Sequence, residues 1–268
     1  MTRRIRLDAE LVRRGLARSR EHASELISQG RVRVGGGPGA LKPASQVVPA
    51  TPIIVEDPGD GTADYVSRGG HKLAGALAAF PGLAVRGRRC LDAGASTGGF
   101  TDVLLRAGAV HVTAVDVGYG QLAWQLRTDS RVAVLDRVNV RGLRPEQVSY
   151  APDLITADLS FISLTLVLPA LIACAAADAD FLVLVKPQFE AGKAKVGAGG
   201  VVRDHATREE AVMAVARGAA SHGLGVMGVT ASQLPGPSGN VEYFLWLRVG
   251  APPVSPTAVA RAIEDGPR

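Results

Sequence analysis

The stretch Arg89-Cys90-Leu91-Asp92-Ala93-Gly94-Ala95-Ser96-Thr97-Gly98-Gly99-Phe100-Thr101 constrains the fold of this chain more than any other. Cys90 to Ala93 reads as the end of a buried strand, and Gly98 onward as the first turn of a helix. Between them the missing Cβ atoms let the backbone turn tightly and let a ligand touch it. Strand-to-helix turns of this kind bind nucleotides, because the helix N-terminus offers unpaired N–H groups.

The kind of nucleotide is narrowed by elimination. Gly94 and Gly99 have P-loop spacing, but Phe100-Thr101 stands where that motif needs Lys followed by Ser or Thr. Ala95-Ser96 breaks the dinucleotide fingerprint. Asp92 would repel a phosphate and would suit a ligand carrying an ammonium and a sulfonium, namely S-adenosylmethionine. The apolar run Val112-Thr113-Ala114-Val115 ends in Asp116, a carboxylate that can take both ribose hydroxyls from the tip of a second strand. On the glycines alone, a tight turn in another α/β enzyme stays open; the two carboxylates weigh against it. The expected cofactor residues are Asp92, Gly94, Ala95, Ser96, Thr97, Gly98, Gly99, Phe100 and Asp116.

Charge divides the chain in two. Residues 1–50 hold ten Lys/Arg against four Asp/Glu, whereas the rest holds twenty against twenty-one. The basicity belongs to the N-terminus and points to a polyanion there. With 47% hydrophobic and 21% charged residues, the chain reads as globular. Cys90 and Cys174 sit alone in apolar runs, as buried thiols of a reducing cytoplasm do, and no spacing suggests a metal site. The first residues lack the apolar stretch of a signal peptide, and Ile162 to Ala177 is short for a membrane span. A cytoplasmic protein is expected.

Leu7 to Arg14 and Ser19 to Gln29 read as two short helices, closed by Gly15 and Gly30, with Ser19 as an N-cap. Arg31 to Val34, Val47-Val48 and Ile53 to Val55 read as strands of a small half-barrel. The pattern Arg-Leu-Asp, Leu-Val-x-x-Gly-Leu-Ala-x-Ser-Arg, Ala-x-x-Leu-Ile-x-x-Gly-x-Val-x-Val and Lys42-Pro43 resembles the S4 type of RNA-binding domain. That resemblance implies that Arg4, Arg6, Arg18, Arg20 and Lys42 grip the backbone of a structured RNA, positioning it without reading much sequence. Pro49 to Thr62 is rich in Pro, Gly and Asp. Residues 1–58 are expected to form this domain, 59–66 a linker, and 67–268 a second domain.

In the second domain a helix runs from about Ser67 to Phe80. Strands follow near 89–93, 111–116, 132–136, 153–158 and 180–185, with helices near 99–107, 120–127 and 164–176 between them. After a loop at 190–203 come a helix at 206–222 and strands near 225–231 and 241–249. A short helix is possible in the tail. A mostly parallel seven-stranded sheet finished by a late hairpin is the Rossmann-like class I methyltransferase pattern, an α/β fold preceded here by a small α+β RNA-binding domain.

Strand tips carry the chemistry in such sheets. The fourth ends in Asp158-Leu159-Ser160-Phe161 and the fifth in Val185-Lys186-Pro187-Gln188-Phe189-Glu190. The Pro-Pro-aromatic motif of many amine methyltransferases is absent. A ribose hydroxyl needs a base and fixed geometry to attack a sulfonium methyl. Lys72, Asp158, Lys186 and Glu242 are the candidates; singly, each is as well read as a surface charge or an ordinary ion pair.

The order Lys, Asp, Lys, Glu matches the tetrad of the FtsJ-like ribose methyltransferases. Ser67 to Leu73, Leu91 to Phe100, Val115 to Leu122, Ala157 to Leu164, Val185 to Glu190 and Pro235 to Tyr243 resemble the TlyA family, over about residues 5–249. The resemblance implies cytidine 2′-O-methylation of small- and large-subunit ribosomal RNA, with ribosomal subunits as partners. It makes Lys186 the base, puts Asp158 near the methyl, and leaves Lys72 and Glu242 to hold the hydroxyl and the base. Relatives have also been called haemolysins, so a membrane-active protein is one alternative. An RNA-binding module with an inactive catalytic domain is another.

Overall fold

The computed structural model describes residues 4–17, 20–35, 41–56, 65–192, 195–236 and 238–267. The chain divides into two compact units, Met1–Asp64 and Tyr65–Arg268.

The first unit contains β1 (Ile5–Arg6), α1 (Leu7–Arg13), α2 (Arg20–Ser28), β2 (Val32–Val34), β3 (Gln46–Val47) and β4 (Ile53–Val55). Leu7, Leu11, Leu26, Ile27, Val32 and Val47 form its core. Gly15 and Gly30 have φ of 71° and 70°. Each closes its helix with the paired bonds of a Schellman motif: Gly15 N–H to Val12 O and Leu16 N–H to Leu11 O, then Gly30 N–H to Ile27 O and Arg31 N–H to Leu26 O. The expected half-barrel resolves into two separate antiparallel pairs, β1 with β3 and β2 with β4. The strands are two or three residues long, and β1 passes directly into α1; among the described residues no further strand joins the two pairs. Ser19 and Arg18 lie outside the described residues.

The second unit contains α3 (Arg68–Ala79), β5 (Arg89–Ala93), α4 (Gly99–Arg106), β6 (His111–Asp116), α5 (Trp124–Arg127), β7 (Val132–Asp136), β8 (Leu154–Ala157), α6 (Leu164–Cys174), β9 (Asp180–Val185), α7 (Pro187–Glu190), α8 (His205–Ala220), β10 (Leu224–Ala231), β11 (Tyr243–Val249) and α9 (Pro256–Glu264). Its sheet has the order β10-β11-β9-β8-β5-β6-β7, with β11 antiparallel to both neighbours and the other strands parallel. The chain runs outward from β5 to β6 and β7, then returns to β5's other side with β8. The strand order therefore reverses at β5, and a crevice opens there at the carboxyl ends.

Alternation along the strands feeds two apolar layers. Leu91, Ile155 and Val183 pack on the side of α6 and α8, while Cys90, Leu154 and Leu182 pack on the side of α3 and α4. Both cysteines are buried and free, and burial pushes the Cys90 thiol up to about 12. Tyr65 and Val66, expected in the linker, belong to this unit. Val66 is buried in its core, and its N–H donates to Asp102 Oδ2 at 3.0 Å. The helix expected at 120–127 shrinks to one turn, because left-handed Gly120 (φ 67°) and the extended backbone of Ala123 do not join a helix, which starts only at Trp124. The tail helix α9 is capped by Ser255 and buries Val259 and Ile263.

Candidate active site at the carboxyl end of the sheet

The turn after β5 is held by its neighbour strand. Gly94 and Ala95 N–H groups donate to Val115 O, and the Ser96 N–H donates to Asp116 Oδ2 at 2.8 Å. Asp116 Oδ1 accepts from Gly118 N–H at 2.7 Å, so one carboxylate brackets both loops. Gly94 is required: its φ is 85°, and a Cβ there would run into the Asp158 carbonyl. Ser96, Arg137 and Phe161 have φ of 47°, 61° and 64°. These three left-handed non-glycine residues follow β5, β7 and β8, so the described strain of this kind sits on the loops of one end of the sheet.

A cavity of about 430 Å³ opens there. It is lined by Gly94, Ser96, Asp116, Val117 and Gln121 at or after the ends of β5 and β6, by Val138, Asn139 and Val140 after β7, and by Asp158 to Ile162 and Val167 after β8. Apolar walls beside a carboxylate at a strand tip suit a nucleoside, with the flat base between the valines and the ribose hydroxyls on Asp116. Of the nine residues expected to hold a cofactor, Gly94, Ser96 and Asp116 line this cavity. Asp92 does not: it is fully buried and accepts from Thr101 Oγ1 at 2.7 Å and Thr156 Oγ1 at 3.3 Å. Burial, with the nearby Asp158 charge, lifts its carboxyl to about 7 against those hydrogen bonds. Asp158, like Asp116, does line the cavity. Ala95 is buried in the turn, whereas Thr97 is exposed on it. Gly98 and Gly99 are small because α4 packs closely: side chains there would meet Leu122 and Leu126, or Ser67 and Gly70. Phe100 is a core residue stacked on Phe244 with centroids 6.0 Å apart.

The four candidate catalytic residues form two ion pairs. Lys186 Nζ lies 2.5 Å from Asp158 Oδ1 and donates to Ser160 Oγ at 3.0 Å. Lys72 Nζ donates to Glu242 Oε2 at 2.6 Å, with both side chains buried. Lys186 and Glu242 adjoin the ladder pair Tyr243–Val185, so neighbouring strands carry them to the same end of the sheet. The loop before Glu242 is fastened on several sides. Asn240 accepts from Val202 N–H at 2.9 Å and donates to Gly200 O at 2.8 Å, and Gly236 sits where any Cβ would press on Glu242 Oε1.

Gln121, Val117, Val138, Asn139, Val140, Ser160 and Phe161 went unremarked as site residues in the sequence, since no spacing marks a wall residue. Phe161 is 91% exposed, and its ring meets Phe189 with centroids 5.1 Å apart. The guanidinium of Arg137 lies over the half-exposed ring of Tyr119, 4.3 Å from its centroid. Arg137, Arg141 and Arg144 are all exposed after β7, a local basic edge that a count over the whole domain hides. Arg4, Arg6, Arg20 and Lys42 are exposed in the first unit.

A reversed strand one in from the edge of the sheet and a nucleoside-sized cavity at its switch point define a Rossmann-like class I methyltransferase. An FtsJ-like methyltransferase family model matches residues 65–249, and an S4 domain model matches residues 5–38. The chain belongs to the FtsJ-like methyltransferase family, in its TlyA branch with an N-terminal S4 domain. It is 60% identical over 272 residues, covering 100% of both chains, to a Mycobacterium tuberculosis protein named 16S/23S rRNA (cytidine-2′-O)-methyltransferase TlyA. A solved structure from Streptococcus thermophilus, described as a hemolysin, shares 36% identity at a TM-score of 0.77, covering 98% of this chain and 96% of the other. Another from Lactococcus lactis, also described as a hemolysin, shares 40% at 0.72, covering 76% and 98%.

Proposed function

We propose that this enzyme uses S-adenosylmethionine to methylate the 2′-hydroxyl of cytidine in ribosomal RNA of both subunits, with Lys186 as general base. The observation that carries the reading is the gathering of two Lys–carboxylate pairs at the end of the sheet where the cavity opens, one of them through Asp158 on its wall. Asp116 would hold the cofactor's ribose, Val117, Val138 and Val140 its base, and Asp158 its positively charged end. When bound, that cofactor supplies a methyl group made electrophilic by a sulfonium. Lys186, aimed by Asp158 and Ser160, would take the proton of the 2′-hydroxyl that receives this methyl group. The Lys72–Glu242 pair fixes the neighbouring strand end, so the hydroxyl meets a rigid wall. Phe161, almost wholly exposed at the cavity mouth, offers a face on which an unstacked base can lie. The S4 unit supplies exposed arginines for the RNA backbone.

Labelled S-adenosylmethionine is incubated with unmodified ribosomal subunits and the label is mapped. Methyl groups on the 2′-oxygen of cytidines are expected; label on a base, or none in either subunit, overturns the reading. The haemolysin descriptions of relatives raise a membrane-active reading. Among the described residues, no helix is long and apolar enough to cross a membrane. Leakage from loaded liposomes at micromolar protein would support that reading.

A further inference from the structure

The cations of the S4 unit are arranged around a carboxylate, which is a surprising component for a surface meant to meet a polyanion. Asp8 opens α1 and is only 3% exposed. Its Oδ1 accepts from Arg6 Nε at 3.0 Å and from the Ala9 N–H at 2.8 Å. Its Oδ2 accepts from Arg6 Nη2 at 2.8 Å and from Arg20 Nη2 at 3.0 Å. Both arginines nevertheless remain open to solvent, with side chains 45% and 59% exposed. The Asp8 N–H donates to Pro43 O at 3.1 Å and the Leu7 N–H to Ser45 O at 2.7 Å, which seats the Lys42–Ser45 turn on the same end of α1. Two exposed cations from two segments are thus gathered at one buried anion, with the turn that carries Lys42 seated beside them.

Glu10, two residues on in the same helix, makes a partial contrast, since it pairs with Arg13, whose side chain is 56% exposed, and with Arg14, which is turned inward. It is fully buried and binds Arg13 and Arg14, and Arg14 goes on to donate to Thr51 O and Pro49 O. That arginine braces the unit. Arg6 and Arg20 have been fixed in direction while their outer faces stay available. A free arginine loses rotamer freedom when it grips a phosphate; one already held by a buried carboxylate has less to lose.

We propose that Asp8 is a positioning residue for RNA: it holds Arg6 and Arg20 side by side as a preformed clamp for the phosphates of a folded RNA. The proposal rests on the reading that the S4 unit binds RNA, and the sign of one measurement tests it. Asp8→Asn removes a negative charge, so simple electrostatics demands tighter binding to any RNA. A clamp that has lost its template binds folded RNA more weakly in spite of that charge.

The full chain and its variants are titrated into fluorescent in vitro transcribed 16S and 23S ribosomal RNA, and into a uridine homopolymer. Asp8→Asn should lower affinity for the transcripts about 10-fold, the scale expected when two side chains must be ordered afresh. Its affinity for the flexible homopolymer should hold or rise. Asp8→Glu keeps the charge but displaces the carboxylate, and should lose affinity for the transcripts as well. Circular dichroism and S-adenosylmethionine titration identify any variant that fails to fold. Unchanged or tighter transcript binding by folded Asp8→Asn overturns the proposal, as does wild-type binding by Asp8→Glu. Arg6→Ala with Arg20→Ala separates the two levels: if that variant binds the transcripts normally, the RNA reading of the unit itself fails.

Discussion

The two ends of the seven-stranded sheet use the same chemistry to opposite purposes. At the amino end, Asp180 is fully buried and accepts from Trp246 Nε1 at 2.6 Å, Arg88 Nη1 at 2.5 Å, and Arg248 Nε and Nη2 at 2.7 and 2.8 Å. Burial pushes its carboxyl up, but the bonds from Arg248, Trp246 and Arg88 win and hold it below the ordinary range. At the carboxyl end, Asp158 faces one lysine at the edge of a cavity, among loops bent into left-handed backbone. A carboxylate saturated with donors is a staple. One that shares a single cation and borders open space is free to act on something else. The arrangement of partners, more than the residue type, separates structure from function here.

The sharpest way to break this comparison is to disarm both ends. Lys186→Arg keeps a cation beside Asp158 but cannot lose its proton, so single-turnover methyl transfer should fall ~10²–10⁴-fold while the thermal midpoint barely moves. Substantial activity in that variant would remove Lys186 as the base. Next in size, Asp180→Ala should cost about 3–5 kcal/mol in urea unfolding, because it strands two arginines around a buried hole. The fraction that stays folded should transfer methyl groups at the normal rate. If activity falls instead of stability, the division between the ends is wrong.

A smaller effect is expected at Asp116→Ala. The cofactor loses its ribose anchor and the turn loses two backbone hydrogen bonds, so titration calorimetry should show roughly tenfold weaker S-adenosylmethionine binding, the worth of a hydrogen bond to a charged group. The most graded effect belongs to Asp92. Its folded carboxyl titrates near 7 and an unfolded aspartate titrates roughly three units lower. Between those values the native chain holds a proton that the unfolded chain releases. Stability should therefore fall as pH rises from about 4 to 7, then level off. Asp92→Asn should flatten that part of the profile and melt higher than wild type at pH 8. A wild-type midpoint independent of pH over this window would show that Asp92 is ionised throughout.

Much of this layout was legible in the sequence, for a physical reason. Strand alternation and the glycine turn place β5, β6, β8 and β9 within a residue or so. Because strand tips converge, Asp116, Asp158 and Lys186 could be grouped before any coordinates. What a one-dimensional pattern does not carry is the facing of a side chain at a strand's last residues. Asp92 was read as a cofactor ligand, yet it points into the α4 layer toward Thr101. Gly98 and Gly99 looked like ligand cradles, but their missing Cβ atoms accommodate Leu122, Leu126 and the start of α3. Asn240 fell within the family-like stretch Pro235 to Tyr243, but its role was not legible, since it depends on a loop forty residues earlier in the chain.

Phe161 carries a consequence for how this protein can be engineered. It combines a left-handed backbone with a ring almost fully in water, two burdens that glycine at the same position would lift. A library screened for heat resistance alone should enrich Phe161→Gly early, and the survivors should be robust but poor catalysts. Screening for thermostability and for methyl transfer should therefore pull this position in opposite directions.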